Sequence, residues 1–171
     1  MSLRHKAVPR ILAIDPSTRG FGFVVLEGAT NLIDWGVKAT RKDKNERGLI
    51  KVGALLRLYR PDVIVAERHS GKGSRRCHRV AQLIAAMEAL AKRDGVRFRR
   101  FSRGDIRKVF ASFNATTKHE IAHAIARRLP ELAPHLPRYR KPWMSEDYRM
   151  AIFDAASLAL TFLYSRSSSG R

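Results

Sequence analysis

Three strand-length apolar segments crowd between residues 11 and 37, and no other feature restricts the fold as strongly. Ile11-Leu12-Ala13-Ile14-Asp15 is too short for a helix, and Pro16-Ser17-Thr18-Arg19-Gly20 closes it as a turn. Phe21 to Leu26 repeats the pattern before Gly28, and Leu32 to Val37 follows with weaker alternation. Connections this short make neighbouring strands antiparallel, so the segments predict a three-strand meander.

Helical spacing then takes over. Leu49, Val52, Leu55, Leu56 and Tyr59 share one face, Asp43 with Glu46 has the spacing of a capping box, and Pro61 stops the helix. Asp62 to Glu67 reads as a buried strand. Val80, Leu83, Ile84, Met87 and Leu90 mark a second helix ended by Gly95, and Val96 to Phe101 a fifth strand. A short helix over Ile106 to Phe110 follows. Thr117 caps another, with Glu120 three residues on and Ile121, Ile125 and Leu129 as its buried face. Residues 130–144 contain four prolines and read as a loop, and a last helix is expected from near Ser145 to about Tyr164. The order predicts an α/β fold. Its mixed five-stranded sheet has a three-strand antiparallel meander plus two strands parallel to the first, with helices on both faces.

At 171 residues the chain suits one domain, expected over residues 11–164 with a flexible basic N-terminus (1–10) and a flexible tail (165–171). The 44% hydrophobic content excludes a disordered basic tail, and no apolar run approaches the roughly 20 residues of a membrane span. Residues 1–10 lack the apolar segment of a signal peptide, and the lone Cys77 suits a reducing compartment, so a cytoplasmic location is expected. Lys and Arg number 34 against 15 acids, a net charge of +19. Self-repulsion of that size points to a polyanionic partner, and nucleic acid is the commonest.

In so basic a chain the positions of the acids are informative. Asp15 and Glu67 each close an apolar strand, so in neighbouring parallel strands both emerge at the carboxyl edge of the sheet, where such sheets bind ligands. Asp154 lies in a helix apolar nearly all round, where an ionised carboxylate is costly without a compensating cation. Together the three form a hard-oxygen set suited to Mg²⁺ or Mn²⁺. Singly, each has another explanation: Asp15 as a turn-forming residue, Glu67 and Asp154 as partners of arginines.

In this order the segments resemble a known family. Residues 11–22 look like the opening strand and turn of RuvC-type Holliday-junction resolvases, members of the RNase H-like superfamily. Pro61 to Glu67 is similar to that family's second catalytic strand, Thr116 to Ile121 to the segment carrying a Lys near the DNA, and Asp154 to Leu160 to its C-terminal acidic helix. The resemblance implies an RNase H-like, metal-dependent endonuclease that resolves four-way DNA junctions in recombination and repair as a homodimer. By it, Asp15, Glu67 and Asp154 hold two Mg²⁺ ions, with Mn²⁺ as a substitute, and Lys118 contacts DNA.

Two departures stand out. The family carries an acidic or His residue three positions before the last Asp, and here that position is Ala151. Asp147, seven residues upstream of Asp154, shares its helical face but lies about 10 Å along the axis. It serves as a fourth ligand only if the start of the helix bends. Glu146 competes for that role, and the favoured alternative is that both residues simply suit a helix N-terminus behind a Ser145 cap. The loop after Glu67 also lacks the family's aromatic residue; His69 is its nearest ring.

That loop instead carries Arg68, His69, Lys72, Arg75, Arg76 and Arg79, which suit phosphate contacts beside the acidic edge. Further basic groups include Arg97, Arg99, Arg100, Arg103, Arg107 and Lys108, then Arg138, Arg140 and Lys141 with Trp143 as a stacking residue. His119 and His123 share a helix at a metal-ligand spacing, although surface or packing roles account for them. A second reading is a nucleic-acid-binding module of the same fold with weak or no catalysis. A third, from the likeness of residues 15–20 to the first phosphate loop of actin-like and sugar-kinase ATPases, is disfavoured because 171 residues are too few for two lobes.

Overall fold

A computed structural model describes residues 8–69, 73 and 75–168. The meander is β1 (Arg10–Ser17), β2 (Gly20–Glu27) and β3 (Asn31–Ala39). Then come α1 (Lys44–Tyr59), β4 (Val63–Glu67), α2 (Arg75–Arg93), β5 (Arg97–Phe101), α3 (Arg103–Ala111), α4 (Lys118–Arg128), a 3₁₀ segment (Pro130–His135) and α5 (Met150–Ser168). The sheet order is β3-β2-β1-β4-β5, antiparallel across the meander and parallel from β1 through β5. This is the mixed five-stranded sheet that the segment lengths predict.

Strand alternation divides the core in two. Ile11, Ala13, Val63 and Val65 point toward α3, α4 and α5, whereas Leu12, Ile14, Ile64 and Ala66 point toward α1 and α2. Helices therefore cover both faces. α5 is buried almost throughout its length because it lies across β2 and β1 and also packs on α3 and α4. Among the described residues no helix is long and apolar enough to cross a membrane.

Several sequence expectations are corrected. Asp43 precedes α1 in a left-handed conformation, φ 46°, and makes no side-chain cap, so the expected capping box with Glu46 does not form. α5 starts at Met150, five residues after Ser145, because the carboxylate of Asp147 turns to Arg149 and a turn joins Met150 N–H to the Asp147 carbonyl (3.0 Å). Arg10, expected in the flexible N-terminus, is already the first residue of β1. Its N–H donates to Asp62 (2.8 Å) and its side chain pairs with Glu27. Residues 165–168, expected in the tail, continue α5.

Candidate active site

β1 and β4 pair in parallel with Ile14 opposite Ala66, so Asp15 and Glu67 follow side by side at the carboxyl edge. Both continue the odd-numbered series of their strands and so face α5. α5 brings Asp154 to the same place. Asp15 and Asp154 are only 7% and 6% exposed, and all three carboxylates line one cleft of about 710 Å³. Burial pushes the Asp15 carboxyl well above its ordinary range, and the negative charges of Asp154 and Glu67 push it further.

Two cations hold this cluster together. The Arg103 guanidinium donates to Glu67 (2.9 Å) and to Asp154 (3.3 Å). Lys118 Nζ lies 2.8 Å from Asp154 and 2.8 Å from Glu146. Burial works against both charges, but the surrounding carboxylates outweigh it and keep both side chains more firmly protonated than usual. Each cation stands at the first position of a capped helix. Ser102 and Asp105 form a reciprocal box before α3, and Thr117 and Glu120 form another before α4. The cap residues thus aim Arg103 and Lys118 over the acidic edge.

Arg103 as a bridge was missed in the sequence, where it counted only among surface bases. The Ser102-x-x-Asp105 spacing that begins α3 directly after β5 was the available signal. The spacing His119-Glu120-x-x-His123 is also that of a zinc-peptidase helix. Here Glu120 is committed to its cap, accepting from the N–H groups of Thr116 and Thr117 (both 2.9 Å) and held at a pKa of about 2 by those bonds. The two imidazoles bond each other, Nε2 to Nε2 at 2.9 Å.

Among the other expected residues, Asp147 lines the cleft, but its carboxylate is engaged by Arg149 (2.6 Å), which lowers its pKa. His69 also lines the cleft. Its Nδ1 is buried and has no hydrogen-bond partner among the described residues. Arg79 braces the turn after Asp15 by donating to the Ser17 carbonyl (3.3 Å), and Arg68 and Arg75 are exposed. Lys72 and the side chain of Arg76 lie outside the described residues.

The donor set fits divalent metal, because three carboxylates lining one cleft supply hard oxygens. Among the described residues no three such groups stand close enough to hold an ion as they are, and Arg103 and Lys118 already engage two of them.

The chain is similar to RuvC of Thermus thermophilus solved with a Holliday junction substrate, at TM-score 0.70 and 20% identity over 94% of this chain and 97% of that one. The yeast mitochondrial Holliday junction resolvase Ydc2 aligns at TM-score 0.62 and 15% identity, over 94% of this chain and 80% of that one. A fowlpox virus resolvase solved with Holliday junction DNA aligns at 0.55 and 14%, over 91% and 99%. No family model and no curated protein sequence matches the chain. The chain therefore has the RNase H-like fold, in the form found in RuvC-type resolvases.

Proposed function

We propose that the protein is a divalent-metal-dependent endonuclease that cuts DNA at four-way junctions, acting as a cytoplasmic homodimer in recombination and repair. The observation that carries this reading is the convergence of Asp15, Glu67 and Asp154 on one face of the sheet's carboxyl edge, in a chain of net charge +19. The resolvase folds above support it, and a symmetric junction requires two cuts and hence two copies.

Asp15, Glu67 and Asp154 would hold two Mg²⁺ ions, or Mn²⁺ in their place, with Asp147 as an additional ligand once released from Arg149. Divalent metal held there would supply Lewis-acid chemistry at the phosphodiester, activating a water and offsetting charge on the leaving oxygen. Lys118, already 2.8 Å from Asp154, neutralises charge on the scissile phosphate. Arg103 keeps Glu67 and Asp154 from repelling each other before the ions arrive. Arg68, His69, Lys72, Arg75, Arg76 and Arg79 would contact the DNA backbone.

The ion pairs of Arg103 and Lys118 also support a second reading, a DNA-binding module whose carboxylates are permanently neutralised. Mg²⁺-dependent cleavage by the wild type and by Asp15→Asn, on junction and linear DNA, separates the two. The nuclease reading expects junction cutting that the variant loses, whereas tight binding without any Asp15-dependent cut establishes the binding module.

A further inference from the structure

Exposed aromatic side chains are concentrated in one loop. Tyr139, Trp143 and Tyr148, with Met144, are 50–78% exposed and lie within ten residues between the 3₁₀ segment and α5. Trp143 is the most exposed, at 78%. Leaving so much apolar surface in water is unfavourable unless something covers it.

The loop is built to hold these rings out. Lys141, Pro142, Trp143 and Met144 form a turn closed by Met144 N–H to the Lys141 carbonyl (3.0 Å). Pro142 sits at the position where its fixed φ favours a turn, and Trp143 follows at the apex. The Arg140 guanidinium donates to the Met144 carbonyl and ties the two sides together. Lys141 Nζ lies 5.3 Å from the indole centroid. Tyr139 is braced edge-on by His119 of α4, with centroids 5.3 Å apart.

Charge and position identify the occupant. Arg138, Arg140 and Lys141 interleave with the rings, and no acid lies between Glu131 and Glu146. The loop runs directly into Ser145, Glu146, Asp147 and Tyr148, which line the cleft of the three carboxylates. Paired bases are already stacked and offer no face to a ring, whereas bases released from a duplex do, and basic grooves with aromatic platforms bind such strands.

We propose that Trp143, with Tyr139 of the same loop, is a stacking platform for unpaired DNA bases next to the cut site. The proposal rests on the reading of the cleft as a DNA-cleaving site and names what that site recognises. Discrimination of branched or single-stranded DNA from duplex then comes from this loop, and the basic residues add affinity for every DNA form.

The test measures affinities of the full chain, in EDTA, for a four-way junction, a single strand and a duplex of equal length. Trp143→Ala should weaken junction and single-strand binding about tenfold and leave duplex binding unchanged, with Trp143→Phe restoring most of the loss. Lys141→Ala should weaken all three. Unchanged affinities, or an equal loss on duplex, would overturn the platform. If the loop served a protein partner, Trp143→Ala would leave DNA affinities unchanged, which overturns it too. Mg²⁺-dependent cutting by the wild type is scored separately. Cutting with no Trp143 effect refutes only the platform, and a selective Trp143 effect without cutting refutes only the nuclease.

Discussion

Gly22 and Ala151 meet backbone to backbone: a Cβ built on Gly22 would lie 2.2 Å from the Ala151 carbonyl oxygen. Gly22 pairs with Asp15 across β1 and β2, and Ala151 stands three residues before Asp154. A missing side chain on β2 therefore lets α5 settle close enough to set its Asp beside the strand's.

Gly22→Ala should force that helix away. The obstructing atoms belong to backbone and cannot swing aside, so a loss of about 1–3 kcal/mol or more is expected. At roughly 2–4 °C per kcal/mol for a domain of this size, thermal unfolding by circular dichroism should show a drop of several degrees. An unchanged midpoint would contradict the contact.

Asp15→Asn should stabilise the fold while abolishing cutting. The folded protein binds the Asp15 proton more tightly than the unfolded chain does, because burial and then Asp154 and Glu67 raise its pKa. That group's contribution is therefore favourable at low pH and is lost as pH rises through the elevated folded value. At neutral pH the variant should melt above the wild type, and its stability should depend less on pH over this range. Mg²⁺ should raise the wild-type midpoint and leave the variant's unchanged.

Arg103→Ala removes the bridge between Glu67 and Asp154. The guanidinium is 42% exposed, so the cost should fall below the roughly 3–5 kcal/mol of a fully buried pair, at about 1–3 kcal/mol. Denaturant unfolding should show the loss at pH 7.

Thr117→Ala should cost about 1 kcal/mol through the lost cap of α4 and should loosen Lys118, the next residue. Its cap partner Glu120 has a folded pKa of about 2 against 4.5. Its stabilising contribution is complete above 4.5 and disappears as pH falls toward 2. In Glu120→Gln, melting temperatures across that interval should lose this slope.

Much of the fold was legible because it depends on period and punctuation. The runs ending in Asp15 and Glu67 declared strands, and their register with α/β connections placed both acids at one edge. Other features required tertiary information. The Ser145-Glu146-Asp147 triplet looks like a helix start, but Arg149 captures Asp147 and delays α5 to Met150. Arg103 resembles its many basic neighbours until β4, α3 and α5 are assembled around it. Gly22 reads as an ordinary strand glycine, since nothing local shows that Ala151 lies against it.

The most direct measurement is the anomalous scattering of Mn²⁺ in crystals of the protein. Mn²⁺ should be bounded by Asp15, Glu67 and Asp154, with the Arg103 guanidinium withdrawn from at least one of its two carboxylates. Crystals in millimolar Mn²⁺ with no ion there, and with Arg103 still bonded to both Glu67 and Asp154, would contradict it.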